Sequence, residues 1–312
     1  MDQETRLLAK TRRPATHRLC NVSSHKTELL EIHSDDPKLH VLFVPGNPGV
    51  VAYYKDFIES LYEMLGGSAS ITAIGHISHT KKNWDCGRLF SLQDQIEHKM
   101  EFIKHELQNV EGPIFLVGHS IGAYITIEMF KRSPEKVIYC ICLYPFLAVN
   151  PESPWQSKIR NMAASPFMSA AISSFAAFLG ILPRCATKGI VMKHLGESSS
   201  ATALDVTCSY LLQYHTVRNV LFMALTEFEK LSDAPDWEFM RLKQHQMAFL
   251  FGLDDHWGPI SMFKEIANQV PNINLYLERE GHPHSFCCNE AGSIWVAHHV
   301  ANLIKNHKSI GH

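Results

Sequence analysis

The 312-residue chain has little excess of either charge: 29 Lys and Arg stand against 31 Asp and Glu, a formal net charge of −2. That leaves no basic footprint for nucleic acid and no acidic surface that would name a partner. There is no CxxC pair. Cys20, Cys86, Cys140, Cys142, Cys185, Cys208, Cys287 and Cys288 are scattered without metal-ligand spacing, so no metal and no organic cofactor is implied. An apolar h-region is missing near the start, where Arg6, Lys10, Arg12, Arg13 and Arg18 argue against a secretory signal, and Asp2 and Glu4 against an organelle presequence. The closing KSIGH carries neither a prenylation nor a peroxisomal signature. Internal repeats are absent. Reduced thiols inside a cell are the expectation that follows, not secretion.

What is present is a globular composition, 46% hydrophobic and 19% charged, able to bury a sizeable core. Residues 1–36 are polar, with strand-like pieces at 17–22 and 27–33, and read as an N-terminal extension. From Leu39 the pattern sharpens. LHVLFVPG, ASITAIGHIS, PIFLVG, KVIYCICLYPF, HQMAFLFG and INLYLE are short apolar runs that read as strands. Helical stripes lie between them, as in LQDQIEHKMEFIKHEL, whose Leu92, Ile96, Met100, Ile103 and Leu107 share one face. Strands alternating with helices of this length imply parallel strands joined by helical crossovers. The expected fold is α/β, a mostly parallel doubly wound sheet with its core in residues 37–147 and 246–312. Residues 148–245 break the rhythm and read as a helical cap inserted between two core strands.

In PIFLVGHSIGAYITIEMF a strand meets a helix at Gly118-His119-Ser120-Ile121-Gly122. A serine hydroxyl is a weak nucleophile until a base takes its proton. A sharp strand-to-helix turn lifts it to the top of the sheet, and glycines two residues before and after leave room for the bend. The alternative is a tight turn with glycine for steric reasons alone. The sequence places Ile121 where its backbone N–H meets a developing oxyanion, and VPGNPG offers the backbone N–H of Asn47 as the second donor. An acid and then a base are expected after the nucleophile. LDDHW supplies Asp254 and Asp255 just beyond one strand, and REGHPHSF supplies His282 and His284 just beyond the next. Strand ends are where open α/β sheets place their ligands. Spacing leaves both choices open; the G-x-x-D pattern from Gly252 favours Asp255, and the position before Ser285 and Phe286 favours His284.

With these stretches in hand, the chain resembles the lipid droplet-associated hydrolase family of α/β-hydrolases. VPGNPGVVAYY, QIEHKMEFI, LVGHSIGAYITIEMFKR, FLFGLDDHWGP and HPHSF carry the resemblance, across roughly residues 39–305. It implies an α/β-hydrolase fold and a serine hydrolase of lipid esters, sterol esters among them, at lipid droplets or the endoplasmic reticulum. Matched motif by motif, the nucleophile falls on Ser120, the acid on Asp255 and the base on His284. Asp254 and His256 are local departures from the pattern and bear on the choice of acid. The same site would serve an acyltransferase, and a droplet-surface binding protein with little turnover is the reading from another class.

NMAASPFMSAAISSFAAFLGILP, residues 161–183, holds no charge. Pro166 and Pro183 bound a helix too short for a simple transmembrane span. Two readings fit it: an element that docks on a lipid monolayer, with Lys158, Arg160, Arg184, Lys188 and Lys193 beside it, or a lid helix buried over an apolar pocket. Cys287 and Cys288 read as apolar fillers or as a redox-sensitive pair.

Overall fold

Runs of apolar residues buried on both faces build the middle of the sheet. The computed structural model describes residues 13–108, 110, 112–196 and 198–310. In chain order the strands are β1 (Thr16–Val22), β2 (His25–Ile32), β3 (Leu39–Val44), β4 (Ala69–Ile74), β5 (Ile114–His119), β6 (Val137–Leu143), β7 (Met247–Gly252) and β8 (Asn274–Glu278). They form one 8-stranded sheet in the order β1-β2-β4-β3-β5-β6-β7-β8. β3, β4, β5 and β7 are buried at every position, the composition expected of parallel strands covered on both sides. Every pairing from β4 to β8 is parallel, whereas β1 and β2 join antiparallel at one edge. The expected doubly wound α/β sheet is therefore observed. Residues 16–32, which the sequence assigned to an extension ahead of the core, continue the same sheet: Leu29–Ile32 pair with Ile71–Ile74.

Helices α1 (Lys55–Met64) and α11 (Glu290–Ile310) cover one face, packing Phe57, Ile58, Leu61, Val296 and Val300 onto Val41, Phe43, Phe115 and Leu250. The other face carries α2 (Leu92–Glu106), α3 (Ile121–Arg132) and α10 (Ile260–Gln269), with Ile96, Ile125, Phe130 and Ile266 against Leu42, Leu116, Cys142 and Phe249. Alternate residues of each strand thus feed alternate cores, as a period of two requires. Ser91 caps α2 in a reciprocal capping box with Asp94.

Between β6 and β7 lie α4 (Pro154–Ala164), α5 (Pro166–Gly180), α6 (Arg184–Leu195), α7 (Ala201–Val206), α8 (Tyr214–Lys230) and α9 (Trp237–Leu242). α5 packs on α8 with its small, polar face inward. Ser169 is 2% exposed and Ser173 fully buried, and a Cβ added to Gly180 would lie 2.2 Å from the Leu212 carbonyl oxygen. Arg218 of α8 donates to Ser169 Oγ at 2.8 Å. The large side chains point the other way, with Phe167 79%, Phe175 62%, Phe178 55% and Ile181 79% exposed. Of the two readings of this segment, the buried lid helix is not what forms. No single helix among the described residues is long and apolar enough to cross a membrane; α4 and α5 pass that test only as a pair bent by 93°.

Candidate active site

Ser120 stands between β5 and α3 at φ 56° and ψ −123°, in a conformation that a side-chain-bearing residue adopts only under strain. The neighbouring glycines explain how the bend closes. A Cβ on Gly118 would lie 2.3 Å from the Gly122 carbonyl oxygen, and one on Gly122 would lie 2.3 Å from that of Val44 and 2.4 Å from that of Pro45. The turn therefore packs against itself and against the loop after β3. Backbone bonds hold it in place: Ser120 N–H donates to Leu143 O at 2.9 Å, and Ser120 O accepts from Phe146 N–H at 3.2 Å.

His284 Nε2 is 2.9 Å from Ser120 Oγ, and His284 Nδ1 is 2.8 Å from Asp255 Oδ2. The Asp255 side chain is 1% exposed, and its other oxygen accepts from Trp257 N–H at 2.8 Å. Burial alone would raise its pKa. The neighbouring His284 and the N–H groups of Trp257 and Gly258 outweigh burial and hold it below the ordinary carboxylate value. Asp254 is exposed, and His282 instead packs its ring at 5.8 Å from that of Trp295. The structure thus brings together Ser120, Asp255 and His284, and not Asp254 or His282. Glu278, at the end of β8, accepts from Glu280 and His282 N–H and curls the loop that presents His284. A hydroxyl bonded to an imidazole whose second nitrogen faces a buried carboxylate is poised to lose its proton as it attacks.

Ile121 opens α3, so its N–H has no acceptor one helical turn back. Asn47 lies in the loop after β3, which approaches Ser120 closely: a Cβ on Gly46 would be 3.0 Å from Ser120 Cβ. Gly46 N–H is already engaged by Tyr54 Oη at 3.1 Å. The Asn47 side chain donates to Val220 O and to Glu227 Oε1, each at 3.0 Å, and so ties this loop to α8.

Sequence reasoning gave no role to Tyr54, His119 or Glu227, which the structure places at the centre of the site. His119 Nε2 is 2.9 Å from the His284 carbonyl oxygen and must carry the proton there; its Nδ1 accepts from Tyr54 Oη at 2.7 Å. One line of bonds thus connects the loop after β3, the serine turn and the His284 loop. Burial first, then the neighbouring His284, pushes the His119 pKa down to about 3, so the ring is neutral near pH 7. The visible signal for Glu227 was an acid on the apolar face that Val220, Met223 and Ala224 form on α8.

These groups open into a cavity of about 390 Å³, walled mostly by apolar side chains such as Phe146, Ile159, Leu221 and Trp257. A recess of about 480 Å³ at the opposite end of the strands contains Arg18, Glu31 and His40 but no nucleophilic serine turn. Among the described residues no group of three or more His, Cys, Asp and Glu side chains could hold a metal ion.

The sheet order, the strained serine turn and the strand-end loops define an α/β-hydrolase. Structural comparison agrees: a haloalkane dehalogenase from Agrobacterium tumefaciens superposes with a TM-score of 0.72 at 12% identity, covering 95% of this chain and 98% of its own. Within that class the chain belongs to the lipid-droplet associated hydrolase family, whose model matches residues 37–287. The lipid droplet-associated hydrolase of Gallus gallus is 30% identical over 269 residues, 80% of each chain. Its counterpart in Dictyostelium discoideum is 25% identical over 307 residues, 90% of this chain and 94% of its own.

Proposed function

We propose that this hydrolase is a serine esterase that cleaves carboxylic esters of lipophilic substrates through an acyl-enzyme at Ser120. The observation that carries the reading is the unbroken line Ser120 Oγ–His284–Asp255, with bonds of 2.9 and 2.8 Å, opening into an apolar cavity. Ser120 Oγ attacks the ester carbon while His284 Nε2 takes its proton. Asp255 holds the Nδ1–H tautomer and stabilises the imidazolium. The N–H groups of Ile121 and Asn47 receive the oxyanion. Collapse breaks the ester C–O bond, and His284 returns the proton to the leaving alcohol. Water then attacks the acyl carbon by the same route and frees the acid and Ser120.

The cavity, about 390 Å³, is walled mostly by apolar side chains. It suits an acyl chain, and the ring system of a sterol ester would remain at its mouth. Helices α4 to α9 form a cap over the core, and the outward apolar face of α5 docks it on the monolayer of a lipid droplet or on the endoplasmic reticulum surface. The support for docking is the inverted packing of α5, small residues in and large apolar residues out. The enzyme reading is tested by the release of fatty acid from long-chain p-nitrophenyl, glyceryl and sterol esters, with and without a competing alcohol. Acid release lost in Ser120→Ala supports the esterase. Transfer of the acyl group to the alcohol at the expense of acid would favour an acyltransferase, and equal release from both proteins would sink the reading.

A further inference from the structure

Glu227 sits in the middle of α8, only 3% exposed, and lines the same cavity as Ser120 and His284. A carboxyl group in such a place is neutralised by a cation or by a proton. Among the described residues no cation is paired with it, and its hydrogen-bond partner is the neutral amide of Asn47. Burial, opposed only by the hydrogen bond from Asn47, raises its pKa to about 8. Tyr53, Tyr54, His119, His284, Cys287 and Cys288 are the titratable groups that share the cavity. Around α8, α5 carries no charged residue, Lys158 and Arg160 of α4 and Lys230 of α8 itself are exposed, and Lys99 of α2 is turned to Gly75 O at 2.9 Å.

The partner of Glu227 is equally informative. Both Nδ2 protons of Asn47 are used, on Val220 O and Glu227 Oε1, while its Oδ1 is buried with no partner. An ionised carboxylate has no proton to offer that oxygen, whereas a carboxylic acid has one.

We propose that Glu227 is a neutral acid paired face to face with the Asn47 amide, Nδ2–H donating to Oε1 and the carboxyl O–H to Oδ1, and that it is a positioning residue for the oxyanion loop. The inference rests on the reading of Asn47 N–H as an oxyanion donor. In the paired state, cap helix α8 fixes the loop that carries that N–H. When Glu227 ionises, the O–H donor disappears and Asn47 Oδ1 faces a carboxylate oxygen. A negative charge also enters the low-dielectric cavity in which the oxyanion develops. Both effects oppose the reaction.

The test uses the full chain and a fluorophosphonate probe, whose attack by Ser120 forms a P–O bond, expels fluoride and passes through the same oxyanion site. Labelling rates of wild type and Glu227→Gln are measured from about pH 6 to about pH 10, each relative to its own rate near pH 7. Glutamine keeps both hydrogen bonds and cannot ionise. The expected result is a wild-type rate that falls about tenfold per pH unit above pH ~8, with that fall absent in Glu227→Gln. Thermal unfolding gives a readout independent of chemistry. The folded protein keeps a proton that the unfolded chain loses near the ordinary value of 4.5, so this group's contribution to stability declines as pH rises from there to about 8 and then levels off. Glu227→Gln lacks that decline. A wild type that labels near pH 7 but then descends in step with Glu227→Gln, or does not descend, overturns the inference and leaves the esterase intact. Failure of the wild type to label at any pH overturns both.

Discussion

Asp255→Asn separates a catalytic line from a merely structural one. Asp255 Oδ1 accepts from Trp257 N–H at 2.8 Å, and Oδ2 faces His284 Nδ1 at 2.8 Å. In the variant the amide oxygen must stay on the Trp257 side, because that N–H is a fixed donor. The amide NH₂ is therefore turned toward His284 and forces Nδ1 to accept. The ring proton moves to Nε2, which now donates to Ser120 Oγ instead of taking its proton. The imidazolium formed during attack also loses its counter-charge. In serine enzymes with this arrangement the wrong tautomer costs about 10,000-fold in kcat, or about 5.5 kcal/mol of transition-state stabilisation. Ester hydrolysis near pH 7 is the assay, with thermal unfolding to confirm that the fold survives. A loss below about tenfold in Asp255→Asn, or a larger loss in Asp254→Asn, would refute the assignment.

Gly118→Ala places a Cβ 2.3 Å from the Gly122 carbonyl oxygen and 2.6 Å from Thr126 Oγ1, and backbone cannot yield cheaply there. A loss of about 1–3 kcal/mol or more in urea unfolding is expected, and an unchanged midpoint would contradict the close packing of the turn. Tyr54→Phe removes the hydroxyl that accepts from Gly46 N–H and donates to His119 Nδ1, leaving two buried groups bare. Destabilisation of about 1–3 kcal/mol is expected with a fall in kcat, and wild-type kcat would show that the line does not position the site. Replacing Phe167 and Ile181, both 79% exposed, by Asp should weaken flotation with phospholipid-coated oil droplets at least about a hundredfold while sparing hydrolysis of a soluble ester. Undiminished flotation would remove α5 from the docking surface.

Much of the sheet was legible because its causes are local. The short apolar run at Leu39–Val44, interrupted only by His40, or the glycines around Ser120, mean the same thing in most contexts. The loops after β7 and β8 were legible as holding a candidate acid and a candidate base, but the sequence left two residues open in each. Burial separates Asp255 from Asp254 only once β7 ends and the chain turns through Trp257. Tertiary partners decided the rest. β1 and β2 carry charges such as Arg18 and Glu31, which read as solvent-facing until their mutual pairing across the sheet edge is seen. The orientation of α5 was hidden for a similar reason: its composition shows a small face and a large face, but only the closeness of Leu212 and Arg218 turns the small one inward. Glu227 gained its meaning from an amide that lies 180 residues away in the chain.

The central claim, an activated serine at position 120, is tested most directly by intact mass after exposure of wild type and Ser120→Ala to a fluorophosphonate in the presence of lipid droplets. The account predicts one covalent adduct on the wild type, none on Ser120→Ala, and the modified peptide containing Ser120. A folded wild type that stays unmodified, or a Ser120→Ala variant labelled to the same extent, would contradict it.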